Sequence, residues 1–93
     1  MEPDKQLQVN TDAGLLAQYS NLMQIMHTQD EFVMDYFFAT SQGNATLINR
    51  IALSPGHAKR IMTALQENLK RYEEKYGEIK PRLIPFEALG FTK

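Results

Sequence analysis

Cysteine is missing altogether from these 93 residues. That rules out disulfides, thiolate metal sites and a thiol nucleophile. An excess of charge of either sign is missing too: 10 basic residues against 11 acidic ones leave a net charge of −1. Such a balance supplies no field to steer the chain toward nucleic acid or an anionic membrane. Apolar residues make up 43% of the chain, ordinary for a globular domain. No apolar run approaches the ~20 residues that a spanning helix needs. The opening stretch Met-Glu-Pro-Asp-Lys-Gln-Leu-Gln is polar and acidic, unlike a signal peptide, so a cytoplasmic location is expected. There is no Gly-x-Ser-x-Gly elbow, no phosphate-cradling glycine loop and no His-Glu-x-x-His pair. The two histidines, His27 and His57, fall on separate elements, too far apart in pattern to suggest a metal site with Asp30 or Asp35. The expectation is no catalysis, no metal and no cofactor.

What is present is organised around one helix with both ends marked. Ser54 suits the N-cap, Pro55 the first helical position, and His57 the first turn. Gly77 suits a left-handed C-terminal residue. Between them Ala58, Ile61, Met62, Leu65, Leu69, Tyr72 and Tyr76 recur at steps of three and four, one apolar stripe. Lys59, Arg60, Gln66, Glu67, Lys70, Arg71 and Glu74 make the opposite face. The stripe fits either a coiled-coil seam between subunits or packing on a sheet. Packing on a sheet is the preferred reading, because it would also hide Phe32 and Phe38.

Three strands precede the helix. Residues 17–28 alternate, 31–39 are rich in aromatic and β-branched types, and 45–53 form a third run. Tight turns are expected at Gln29-Asp30 and around Gln42-Gly43. Those centres set Gln24 opposite Asp35 and Asp35 opposite Arg50, one polar row across the sheet. One face then holds Met23, Ile25, Phe32, Met34, Tyr36, Phe38, Leu47, Ile51 and Leu53, and the helix stripe should cover it. The other holds Leu22, Met26, Val33, Phe37, Ile48 and Ala52 around the polar row. The predicted fold is α+β: a three-stranded antiparallel meander followed by one long helix packed on one face.

The second face is too apolar to leave in water, since patches beyond a few hundred Å² usually mark an interface. Leu22, Gln24, Met26, Val33, Asp35, Phe37, Ile48 and Arg50 are therefore the candidate interface. The expected partner is the chain itself, as a dimer or tetramer, or another polypeptide with apolar segments. Asp35 and Arg50 read as a cross-strand ion pair before an acid and an anion clamp. The alternative is a single-strand binder that stacks bases on Tyr19, Tyr36, Phe37 and Phe38 beside Arg50, Lys59 and Arg60. Glu67, Glu73 and Glu74 among the lysines speak against it, and nucleic acid is not the expected partner. The organisation is a flexible arm at 1–15, a β-β-β-α domain at 16–79 and a tail at 80–93. Pro81 and Pro85 keep that tail extended. Leu83, Ile84, Phe86, Leu89 and Phe91 are its expected anchors on the same subunit or a neighbour.

Four segments point to a family. They are Tyr-Ser-Asn-Leu-Met-Gln-Ile (19–25), Asp-Glu-Phe-Val-Met-Asp-Tyr (30–36), Asn-Arg-Ile-Ala-Leu-Ser-Pro-Gly-His-Ala-Lys-Arg (49–60) and Leu-Gln-Glu-Asn-Leu-Lys-Arg-Tyr-Glu-Glu-Lys-Tyr-Gly-Glu-Ile (65–79). Together they resemble the small bacterial domain-of-unknown-function family numbered 3467, with the run around Ser-Pro-x-His-Ala-Lys the most specific part. The resemblance implies a bacterial, soluble protein built strand-strand-strand-helix. It carries over no catalytic residues, and it leaves out the arm and the tail. In outline alone, strands followed by a long helix are also similar to the export chaperone SecB, whose sheets assemble and hold unfolded clients.

Overall fold

A computed structural model describes residues 6–81. The elements are β1 (Leu22–His27), β2 (Phe32–Ala39), β3 (Ala45–Leu53) and α1 (Pro55–Tyr76). The strands form one antiparallel sheet in the order β1-β2-β3. The α+β class and element order match the expectation. The first strand is shorter than 17–28, because residues before Leu22 lack strand pairing. They are tied in by one backbone bond, from the Asn21 N–H to the Phe37 carbonyl at 3.1 Å, and by side chains. Asn21 exchanges bonds with the Ala39 backbone at 2.8 and 2.9 Å, and the Ser20 hydroxyl donates to the Phe37 carbonyl at 2.9 Å.

The first hairpin closes through Thr28. Its N–H donates to the Glu31 carbonyl at 2.9 Å. Its hydroxyl accepts from the N–H groups of Asp30 and Glu31 at 3.2 and 3.3 Å. This is the side-chain mimicry of a backbone turn that Thr offers. The resulting register sets Gln24 opposite Asp35, as expected.

The second hairpin reaches the expected register by a different route. Gly43 sits at φ 90°, a conformation open to glycine, and donates to the Thr40 carbonyl at 3.1 Å. Beyond that turn Ala39 faces Ala45 and Phe37 faces Leu47, one residue out of step with a turn centred on Gln42-Gly43. Carried on unchanged, that register would set Asp35 opposite Asn49. A bulge at Ile48 absorbs one residue, so Tyr36 faces Asn49 and Asp35 faces Arg50. The bulge corrects the expected faces. Leu47 lies on the Phe37 face, not with Phe38. Ile48 turns to the opposite side, where it lines a shallow recess with Tyr36, Asn49 and Ile51.

The larger correction concerns α1. It forms where expected, with the His57 N–H donating to the Ser54 hydroxyl at 3.2 Å. Yet it packs on neither face of the sheet. Met62, Leu65, Leu69, Tyr72 and Tyr76 stay exposed, Leu65 at 56% and Tyr76 at 65%. Within the stripe only Ala58 and Ile61, near the start, are half-buried. The connection explains this. Ser54 is the single residue between strand and helix, and Pro55 holds it extended at φ −71°, ψ 154°. The helix thus starts with no loop in which the chain could reverse, and none of its residues is fully buried.

The helix ends at Gly77 (φ 104°, ψ 169°), whose N–H donates to the Glu73 carbonyl at 2.9 Å. The positive φ agrees with expectation; the ψ takes it outside the left-handed helical region, into space nearly reserved for glycine. Gly77→Ala should therefore cost about 1–3 kcal/mol and Ser54→Ala about 1 kcal/mol, both read from urea denaturation.

Candidate functional site

The candidate surface is the sheet face centred on Asp35. Strand alternation sends Leu22, Gln24 and Met26 of β1, Val33, Asp35 and Phe37 of β2, and Leu47, Arg50 and Ala52 of β3 to that side. The polar row is present. Arg50 grips Asp35 with both arms of its guanidinium, Nε to Oδ1 at 2.7 Å and Nη2 to Oδ2 at 2.9 Å. This bidentate fork is the strong form of the pair.

The two partners sit in different environments. The Asp35 side chain is 2% exposed and the Arg50 side chain 60%. Arg50 thus lies over the carboxylate as a lid, with its own outer edge in water. The guanidinium hydrogen bonds hold the Asp35 carboxyl below its ordinary 3.8; burial opposes them and loses, and the nearby positive charge adds to the lowering. The same contact raises Arg50. Asp35 is committed to a structural bond, in keeping with a cross-strand ion pair.

The other expected interface residues are spread in exposure. Leu22 is buried, Gln24, Val33, Phe37 and Ile48 are half-buried, and Met26 is exposed. Ile48 leaves the set, since the bulge turns it to the far side. Leu47 takes its place, 43% exposed beside Phe37. No simple alternation rule could have found that exchange, because it depends on where the extra residue is absorbed. At the helix N-terminus Ser54 is the cap, Pro55 the first helical residue, and His57 supplies the backbone N–H that Ser54 accepts. The tail residues Leu83, Ile84, Phe86, Leu89 and Phe91 lie outside the described residues.

The aromatic residues do not share one platform. Tyr36 and Phe38 lie on one face and Phe37 on the other, with Arg50. Tyr19 meets Phe38 edge-to-face at 6.1 Å. His27 stacks on Phe32 at 5.3 Å. Among the described residues no three His, Asp or Glu side chains cluster as metal ligands would. No helix among them is long and apolar enough to cross a membrane.

The surface that sequence reasoning missed as a site is the stripe of α1. Its signal lies in the spacing, which packing on a sheet explains as readily as an exposed seam.

An open three-stranded sheet with a projecting helix defines a small α+β domain. The chain belongs to the family described as protein of unknown function, DUF3467, whose pattern matches residues 2–81. That match takes in the arm, which the resemblance over 19–79 left out, and stops short of most of the tail. No curated protein and no solved structure matches the chain.

The pH dependence of the ion pair has a definite sign. Because the folded carboxyl titrates below 3.8, the pair stabilises the fold above that pH, and its contribution is lost as pH falls through the folded value. The melting temperature should hold near neutrality and drop below about pH 4, and Asp35→Asn should flatten that drop. Arg50→Ala should melt lower than Asp35→Asn at neutral pH, because it strands a buried carboxylate while the reverse change leaves a cation that water can reach. Thermal denaturation of the three proteins across pH decides this.

Proposed function

We propose that this is a cytoplasmic, non-catalytic, homo-oligomeric module that binds polypeptide or serves as a scaffold, in the manner of SecB in outline. One observation carries the reading: the apolar surfaces of sheet and helix do not cover each other. Ile25, Phe38 and Ile51 remain exposed on the sheet, and Met62, Leu65 and Leu69 on the helix. A chain this small is marginal alone, and surface of this kind is stabilised by covering it with another chain. An interface of ordinary size removes about 800 Å² from each partner. Exposed Met and aromatic side chains suit contacts that adapt to varied apolar segments.

The test is the solution mass of the full chain by light scattering, with anisotropy of a labelled apolar peptide in parallel. A dimer or tetramer whose peptide binding survives added salt is expected. A monomer that takes up no peptide would overturn the proposal. Binding of a labelled oligonucleotide that weakens steeply between low and moderate salt would replace it with the single-strand reading.

A further inference from the structure

We infer that α1 pairs antiparallel with α1 of a second copy, an inference that rests on the proposed self-assembly and names its surface. The stripe Ala58, Met62, Leu65, Leu69, Tyr72 and Tyr76 follows steps of 4, 3, 4, 3 and 4. Alternating fours and threes place these side chains at the a and d positions of a heptad, the seam of a coiled coil. Five of its six members are exposed along a helix that no other element among the described residues covers. In the register that pairs these positions, the two helices overlap over 58–76, about 28 Å of contact.

The orientation comes from the order of sizes and charges. The spacing reads the same in both directions, so reversing one helix brings every seam position against another. Ala58 then meets Tyr76, Met62 meets Tyr72 and Leu65 meets Leu69 of the second copy. Small residues face large ones in the outer layers, which interdigitate without a void. The same register puts Lys59, beside the seam near one end, against Glu73 near the other, twice by symmetry. Neither residue makes an ion pair within its own chain among the described residues. Ile61 falls opposite Lys75, whose stem can cover it. The positive end of each helix also lies beside the negative end of its partner. A parallel pair would stack Tyr76 on Tyr76 and Ala58 on Ala58, align the dipoles, and set Ile61 by Gln66 and Asn68 by Glu73, with no opposite charges matched.

Charge exchange in the full chain tests this. Lys59→Glu places two Glu–Glu contacts in an antiparallel pair, and Glu73→Lys places two Lys–Lys contacts. Each single variant should dimerise roughly tenfold more weakly than the natural chain by sedimentation. An equimolar mixture of the two should recover the natural affinity, because each mixed pair again matches Glu with Lys at both ends. Glu73→Lys also gives up the bond from Glu73 Oε2 to the Ile79 N–H, so helix content by circular dichroism accompanies each measurement. Leu65→Asp at the centre of the seam should abolish the pair while leaving helix content unchanged. Weakening of both singles without recovery on mixing would overturn the antiparallel arrangement. Assembly of all three variants at natural strength would overturn the helix as interface while leaving self-assembly through the sheet intact. A natural chain that stays monomeric would remove both.

Discussion

The register between β2 and β3 depends on a buried carboxylate that must find its cation. Asp35 is 2% exposed on the central strand, and among the described residues only Arg50, bonding through Nε and Nη2, answers its charge. A one-residue slip would leave the carboxylate facing Asn49 or Ile51 and would move every apolar side chain to the wrong face. Leaving a buried charge unpaired is among the most costly changes available to a small domain. The bulge at Ile48 follows from that demand. The Gly43 turn sets one register at the hairpin tip, Asp35 and Arg50 require another, and one residue must be absorbed between them.

The bulge also shapes the faces. By taking Leu47 to the Asp35 side and Ile48 to the other, it places a bulky apolar residue in the recess beside Tyr36 and Ile51. The ion pair therefore acts beyond its own contact: it settles which residues each face presents. Phe37, Leu47 and Met26 surround the salt bridge at the centre of that face.

The second constraint is the single residue between sheet and helix. Ser54 caps α1, and Pro55 begins it while holding Ser54 extended. The same two residues leave no loop in which the chain could reverse. The result is a domain whose largest apolar stripe is separated from the sheet that needs cover. Small domains are marginal when they bury little surface, and association is a common remedy. A seam with coiled-coil spacing on a projecting helix and an open sheet are two separate places where that remedy can act. They give the DUF3467 chain a physical rationale for assembly that does not rely on its family's name.

Local elements were determined by the sequence itself. Ser54, Pro55 and Gly77 mark the helix ends because capping and positive φ are properties of single residues and their immediate neighbours. The strands follow from alternation, and Gln24–Asp35 from counting across the first turn. Three things were decided only by the tertiary structure. Where the extra residue of β3 goes depends on a conflict between a turn and a distant ion pair, which no local window contains. Which of two partners covers the helix stripe is invisible to periodicity, since a sheet and a second helix ask for nearly the same spacing. Whether the helix folds back depends on the direction in which β3 delivers it, a geometric fact about one connection that composition does not encode.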